Sequence, residues 1–279
     1  MEVVLTALLN LSTVPKRYSH IDQVNDAVLH LSGFSMNASM ESILVSTINN
    51  LTGLRNNQAR LVEEGCVRIL SRIAKMAPLE TQRLCAYSFS NLASCGRSRG
   101  KMTDQRVVLT MLEMTRTNNN DETIRKQCAT TVSRLAMDVS CREKIVQQGA
   151  IGAIVGMCYS TLDGVKNSVD SDRVCAEALK TLSFDGENCE KVSPHSLEIN
   201  FKFHHSLASQ LIQDGAIPAL IALINNNDKI VRRDCAHSLC VMFEYDSGID
   251  RMIDQGAVEA LVKLADPTDE LVSGGERQV

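Results

Sequence analysis

The sequence predicts an all-α protein built from a repeated helical unit, and two ladders of recurring residues carry this prediction. The first is a position near the end of a long helix, here called the anchor. Its occupants are Asn10, Asn50, Asn91, Arg134, Thr181 and Val241. The second ladder is a phrase of two apolar residues, two polar residues and a glycine. It ends at Gly65, Gly149, Gly215 and Gly256. A recurrence of roughly 40 residues is typical of helical repeat proteins.

Each repeat is predicted to contain a short first helix, a sharp glycine turn, a second helix and a long third helix. Glycine favours this turn because it adopts the left-handed conformation without a Cβ penalty. A new apolar helix then begins, as at Ala216, with Pro218 in its first turn, where a missing N–H does least harm. Asn-rich turns before Asp121 and Asp228 separate the second helix from the third.

These segments resemble the armadillo repeat. The resemblance is carried by Gly215-Ala-Ile-Pro-Ala-Leu-Ile-Ala-Leu223, by Val231-Arg-Arg-Asp-Cys-Ala-His-Ser-Leu239 and by Ser90-Asn-Leu-Ala93, and it extends from Leu44 to Leu264. It implies a right-handed α-α superhelix, an armadillo solenoid, of about five to six repeats including partial end repeats. HEAT repeats are the structural alternative, but they usually lack the short first helix and its glycine turn.

We expect a single armadillo solenoid over residues 1–272, followed by a polar tail at 273–279. Two insertions, at about 159–172 and 185–205, interrupt the spacing. Insertions of this kind lie in surface loops, either as partner contacts or as tolerated loops. Residues 12–38 are less regular. We also expect both ends of the solenoid to pack on a partner or on further repeats, because Val258, Leu261 and Leu264 have no following helix to cover them.

Composition argues against several classes of protein. The formal net charge is −4, from 29 Lys+Arg and 33 Asp+Glu, which disfavours a nucleic-acid partner. No stretch approaches the roughly 20 apolar residues of a membrane span, so direct membrane insertion is not expected. Ten cysteines occur without a CxxC pair, which disfavours a zinc or redox motif and favours a reducing, cytoplasmic compartment.

No cofactor, metal site or catalytic residue is predicted. Four cysteines recur six residues before the anchor, each followed by alanine, and we interpret them as small buried filling. They are Cys85, Cys128, Cys175 and Cys235. The histidines at 195, 204 and 205 share an insertion with Cys189, but their spacing matches no familiar zinc pattern. No phosphate-binding glycine loop is present. The chain is therefore expected not to be an enzyme.

The candidate functional site lies on the predicted third helices. Eight residues before the anchor stand Arg83, Lys126, Arg173 and Arg233; four residues before it stand Tyr87, Thr130, Glu177 and His237. Steps of four keep these residues on one helical face. The armadillo resemblance implies that both columns, with anchors such as Asn91 and Arg134, line a binding groove. A row of cations would attract an extended acidic segment, and an ordinary solvated face is the alternative.

The sequence therefore favours a protein–protein interaction scaffold, such as a structural or adaptor subunit of a larger cytoskeletal or ciliary assembly. The alternative is a catenin-like adaptor that binds extended acidic segments in the groove. Nuclear import adaptors hold basic peptides with Trp four residues before the anchor and Asn at the anchor. This chain has no Trp, and only Tyr87 with Asn91 approximates the pair, which disfavours that role.

Overall fold

A computed structural model of the protein describes residues 1–13, 21–118, 121–159, 168–183, 207–244 and 248–265. Every regular element in these ranges is a helix and none is a strand, which confirms the all-α prediction. The chain divides into two compact units, Met1–Gln148 and Gly149–Val279, here called unit 1 and unit 2. That residues 1–272 form one solenoid domain stays a prediction.

Unit 1 contains two complete three-helix repeats together with parts of others. Its helices are α1 (Glu2–Ser12), α2 (Ile21–Leu31), α3 (Ala38–Thr52), α4 (Gln58–Glu63), α5 (Cys66–Ala74), α6 (Leu79–Ala93), α7 (Arg99–Asp104), α8 (Val107–Thr117), α9 (Glu122–Ala136) and α10 (Val139–Gln147). The complete repeats are α4–α5–α6 and α7–α8–α9. The third helices pack in sequence, α1 on α3, α3 on α6 and α6 on α9. The less regular region 12–38 contains α2 in the place of a second helix.

Unit 2 follows the same plan. Its helices are α11 (Ala150–Tyr159), α12 (Val169–Ser183), α13 (Leu207–Gln213), α14 (Ala216–Ile224), α15 (Lys229–Phe243), α16 (Ile249–Asp254) and α17 (Ala257–Ala265). Helices α13–α14–α15 form a complete repeat, and the third helices α12 and α15 pack on each other.

The sequence predicts that the first insertion extends to about residue 172, but α12 already begins at Val169. The predicted end of this insertion is therefore too late. Asp170 and Asp172 resemble loop residues in sequence, but they lie in the first turn of this helix, where acidic side chains interact favourably with the helix dipole. Residues 160–167 of that insertion lie outside the described residues. The predicted insertion at 185–205 and the tail at 273–279 lie outside them entirely.

All four predicted glycine turns adopt the left-handed conformation, with φ between 85° and 93°. The structure adds a fifth turn that the glycine pattern missed. Arg106 separates α7 from α8 and has φ 57° and ψ 39°. Its N–H donates to the carbonyl of Thr103 at 3.0 Å, as the N–H of Gly65 donates to that of Val62 at 3.2 Å. The repeat thus keeps its turn although it lacks the glycine.

In unit 1, a side chain from each first helix holds the end of the preceding third helix. Gln58 Nε2 donates to the carbonyl of Thr52 at 2.9 Å, six residues earlier. The guanidinium Nε atoms of Arg99 and Arg142 donate to carbonyls at the same spacing, Ala93 at 3.1 Å and Ala136 at 2.7 Å. These bonds satisfy carbonyl groups that a helix end leaves without an intrahelical partner.

The four column cysteines are buried, each no more than 3% exposed, which confirms their prediction as core filling. Burial raises the pKa of the Cys85 thiol to about 12 and the pKa values of the Cys128 and Cys235 thiols also lie above the ordinary value. A thiol is reactive as the thiolate, so burial holds Cys85, Cys128 and Cys235 in their unreactive form.

Candidate peptide-binding surface

The candidate residues lie on third helices as predicted. In unit 1 they are Arg83, Tyr87 and Asn91 on α6 and Lys126, Thr130 and Arg134 on α9. We call these six residues the third-helix surface of unit 1. In unit 2 they are Arg173 and Glu177 on α12 and Arg233 and His237 on α15.

Arg83 does not present an isolated charge. Its Nε and Nη2 atoms donate to Asp121 Oδ2 at 2.9 and 2.6 Å, and Nη1 contacts Glu80. Asp121 is the N-cap of α9, and its other carboxylate oxygen accepts from the N–H of Ile124 at 2.9 Å. Burial opposes ionisation of Asp121, but these hydrogen bonds outweigh it and lower the pKa of the carboxyl. Arg83 therefore joins two successive third helices.

The same ion pair recurs in unit 2. Arg173 Nη2 lies 2.5 Å from Oδ2 of Asp228, the N-cap of α15. The hydrogen bond from Arg173 lowers the pKa of Asp228, and N–H groups at the start of α15 contribute to the same shift. Arg83 and Arg173 thus hold one structural role at equivalent positions. The sequence predicts a row of cations that would attract an acidic segment. In the structure Arg83 and Arg173 each pair instead with the N-cap aspartate of the following third helix, and also with an acid three residues earlier on their own helix.

The anchor side chains of unit 1 also reach back to the preceding third helix. Asn91 Nδ2 donates to Thr52 Oγ1 at 3.3 Å, and Asn50 Nδ2 donates to Ser12 Oγ at 3.0 Å. Arg134 Nη1 donates to Ser90 Oγ at 2.9 Å and to the carbonyl of the same residue. These bonds fix the orientation of the anchor side chains at the surface.

The remaining candidates differ in exposure. Tyr87 is 41% exposed and lies one helical turn before Asn91, whereas Lys126 and Thr130 are half-buried. In unit 2, Glu177 and Arg233 are exposed and His237 is half-buried. Val241 at the last anchor is buried and offers no polar group. The most accessible aromatic and amide pair is therefore Tyr87 with Asn91.

Sequence reasoning missed the acidic partners of the arginines. It identified Asp121 and Asp228 as turn residues but did not connect them with Arg83 and Arg173, which lie 38 and 55 residues earlier in the chain. It also missed the ion pair of Lys180 Nζ with Asp234 Oδ1 at 3.0 Å. A sequence signal for these pairs does exist. Asp121 and Asp228 each lie thirteen residues before an anchor, and in both cases the preceding repeat has an arginine eight residues before its own anchor.

No group of three or more His, Cys, Asp or Glu side chains in the described residues is arranged to hold a metal ion. The candidate zinc residues Cys189, His195, His204 and His205 lie outside these residues. Among the described helices none alone is long and apolar enough to cross a membrane, and only the bent pair α13 and α14 passes that test jointly.

No family model and no curated protein sequence matches the chain. Solved structures do. A designed armadillo repeat protein is 15% identical, with a TM-score of 0.65 over 85% of this chain and 92% of that one. Another, in complex with the peptide (KR)4, is 14% identical, with a TM-score of 0.66 over 88% and 93%. A structure of computationally designed armadillo repeat proteins for modular peptide recognition is 13% identical, with a TM-score of 0.68 over 88% of this chain and 94% of that one.

These similarities agree with the three-helix repeats and the left-handed turns between first and second helices. A HEAT-type repeat, the structural alternative, usually lacks both features. The protein therefore has the armadillo-repeat fold.

Proposed function

We propose that the protein is a non-enzymatic scaffold that binds an extended polypeptide segment on the third-helix surface of unit 1. The observation that carries this proposal is the pair of accessible groups on α6. Tyr87 offers an aromatic face that is 41% exposed, and Asn91 offers an amide one turn later. An aromatic side chain provides a large contact area, and an amide can bond to a peptide backbone.

The amide of Asn91 is already oriented for this task. Its Nδ2 donates to Thr52 Oγ1 at 3.3 Å, and among the described residues no donor contacts its Oδ1. The Oδ1 atom can accept a hydrogen bond from a backbone N–H of the bound segment. A side chain that is already held in place loses less conformational entropy on binding. We therefore expect Asn91 to fix the register of the segment.

Charge is a weaker basis for recognition on this surface. Asp121 and Glu80 compensate the charge of Arg83, so Arg83 exerts little attraction on an acidic segment. The designed neighbour with (KR)4 in its complex binds a basic peptide. We propose that backbone contacts and apolar side chains of the segment, rather than its net charge, dominate recognition.

A second role is a structural subunit of a larger assembly. Apolar side chains exposed at both ends of the described chain favour it, such as Val4 on α1 and Val262 on α17. Exposed apolar clusters mark interaction sites in many proteins. In this second role the protein would lie in the cytoplasm, as part of a cytoskeletal or ciliary assembly.

The groove proposal is tested by selecting linear peptides of varied charge from a display library on the immobilised chain. We expect enriched peptides to bind the double variant Tyr87→Ala/Asn91→Ala at least tenfold more weakly, about 1.4 kcal/mol. The matched control is Arg68→Ala, an exposed residue on α5 of the same repeat, which should leave binding unchanged. If no peptide is enriched, or if the double variant binds as well as the wild type, the groove proposal is wrong.

A further inference from the structure

The turn that follows α6 carries Cys95, a half-buried cysteine four residues after the anchor of its repeat. Its backbone matches that of Asp138, which lies four residues after the anchor of the next repeat. Cys95 has φ −82° and ψ 113°, and Asp138 has φ −94° and ψ 109°. Their N–H groups donate to the carbonyls of Leu92 at 3.2 Å and Leu135 at 3.1 Å. Cys95 therefore holds a position at which the next repeat has a carboxylate.

The groups around the two side chains are also alike. The Asp138 carboxylate accepts hydrogen bonds from the N–H of Ser140 at 3.1 Å and from its hydroxyl at 2.7 Å. Around Cys95 the donors are the N–H groups of Arg97 and Ser98 and the hydroxyl of Ser98. Donors of this kind stabilise a thiolate as they stabilise a carboxylate. The turn therefore favours an anion at the position of Cys95.

The hydroxyl of Ser98 is an independent sign that an anion belongs here. Ser98 is 2% exposed, and its Oγ has no nitrogen or oxygen partner among the described residues. The group that it faces is the sulfur of Cys95. A buried hydroxyl without a partner is costly, and a neutral thiol is only a weak acceptor. The hydroxyl gains a strong acceptor when the sulfur ionises.

These contacts decide the ionisation of Cys95. Burial opposes it, but the hydrogen bonds from the Ser98 hydroxyl and from the N–H groups of Arg97 and Ser98 outweigh burial. Together with the positive charge of Arg97, they lower the pKa of the Cys95 thiol. The thiolate, which is the nucleophilic form of cysteine, is thereby favoured.

Helices α4 and α7 pack against the turn at Gly96–Ser98, and their charged side chains have partners elsewhere. The ion pairs are Arg60 with Asp22, Asp26 and Glu64, Lys101 with Glu63, and Asp104 with Lys144. Arg99 Nε donates to the carbonyl of Ala93 at 3.1 Å. The charge that acts on Cys95 is therefore that of Arg97, which is exposed.

Cys95 is also accessible to a small molecule. It is half-buried, and no atom lies within 4 Å of a Cβ added at Gly96, the next residue. Among the cysteines that the structure describes, seven are buried. Reactive cysteines lie in electropositive, partly exposed surroundings. Cys95 meets both conditions.

We propose that Cys95 is a site of thiol–disulfide exchange with low-molecular-weight disulfides of the glutathione disulfide type. The Cys95 thiolate, its proton already lost to solvent, attacks one sulfur of the disulfide. A bond forms between Sγ and that sulfur, the original S–S bond breaks, and the other half leaves as a thiolate. Cys95 is oxidised to a mixed disulfide and the departing half is reduced. This inference goes beyond peptide binding and does not depend on it.

The test compares two cysteines within the native chain. The protein is incubated with glutathione disulfide, quenched with acid at intervals and mapped by mass spectrometry, which reports each cysteine separately. Cys240 is the internal comparison because it is exposed, so it would react faster than the half-buried Cys95 if accessibility alone set the rate. We expect Cys95 to form the mixed disulfide at least about threefold faster at neutral pH. An excess of dithiothreitol should reverse the reaction.

Two serine variants separate the site described here from an ordinary accessible thiol. Ser98→Ala removes the hydroxyl that faces the sulfur, so exchange should slow at Cys95 and stay unchanged at Cys240. The matched control is Ser94→Ala, which removes a neighbouring hydroxyl that donates to the carbonyl of Asn91 at 2.6 Å and should leave both rates unchanged.

Circular dichroism checks the fold of each variant. The comparison within the wild type needs no substitution, so it remains decisive if Ser98→Ala does not fold. Exchange at Cys240 that is as fast as at Cys95, or an unchanged rate at Cys95 in folded Ser98→Ala, would overturn the proposal.

Discussion

Two arginines at the candidate surface stabilise the packing of successive repeats rather than standing free to bind a ligand. Arg83 and Arg173 each contact the aspartate that caps the next third helix, so one carboxylate both caps a helix and pairs with the preceding repeat. Removing the carboxylate therefore eliminates two interactions at once. The sequence pattern places these arginines on the surface, but in the structure their ion pairs with aspartate make them less available to a ligand.

The double role of Asp121 predicts an unequal loss of stability between two caps. Replacing an N-cap aspartate with alanine typically costs about 1 kcal/mol. Asp138→Ala, at the N-cap of α10, should show about this cost, because the Asp138 carboxylate accepts from the N–H and hydroxyl of Ser140 and, among the described residues, forms no ion pair. Asp121→Ala should lower the unfolding free energy further, since it also removes the partner of Arg83. Urea unfolding measures both; an equal loss would show that the ion pair contributes nothing.

The lowered pKa of Asp121 also predicts a pH dependence. The folded-state pKa lies below the unfolded value of about 3.9, so the stabilisation is complete above that value and is lost as pH falls through the folded pKa. Asp121→Asn keeps a good N-cap but cannot titrate. The stability advantage of the wild type over this variant should therefore shrink between pH 6 and pH 3. An advantage that stays constant across this range would contradict the assignment.

At the scale of elements, the turn between first and second helices was predictable wherever glycine marks it. The turn at Arg106 was not, because the left-handed conformation there is imposed by the helices on either side rather than by the residue itself. The start of α12 was also not predictable from local sequence. Asp170 and Asp172 fall within the predicted insertion, but they lie in the first turn of the helix. Local composition could not show that a helix already contained them.

The strained turn at Arg106 predicts a stabilising substitution. A non-glycine residue in the left-handed region costs roughly 1–2 kcal/mol, and the greater freedom of unfolded glycine offsets about half of that. Arg106→Gly should therefore raise the unfolding free energy by about 0.5–1 kcal/mol, whereas Arg106→Ala should give no gain. In the reverse experiment Gly65→Ala should destabilise through its φ of 93°, since no atom obstructs an added Cβ. Thermal unfolding of the three variants tests these expectations. Equal stability for Arg106→Gly and Arg106→Ala would show that the backbone at Arg106 is not strained.

For the whole molecule, the repeat ladders predicted a helical repeat fold because each repeat buries the same positions against its neighbours, and the resemblance of the repeats indicated the armadillo type. Cys85, Cys128, Cys175 and Cys235 are buried at one position, and a pattern in sequence reports such recurring burial well. The candidate surface was only partly predictable. The ladder placed Tyr87 and Asn91 on a third helix, but contacts between repeats, such as Arg83 with Asp121, depend on geometry across about 38 residues of chain that no local pattern reports.

The third-helix surface of unit 1 would bind an extended segment through Tyr87 and Asn91 on α6. Binding on this surface is the central claim, because the proposed function depends on it.

Site-specific photo-crosslinking tests that claim most directly. A benzophenone amino acid replaces Tyr87 in one sample and Arg68, on α5 of the same repeat, in the other. Each sample is irradiated with the tightest-binding peptide from the library. We predict that the peptide becomes attached through position 87 and not through position 68. Attachment at position 68 instead, or equal attachment at both positions, would contradict binding along the third helices.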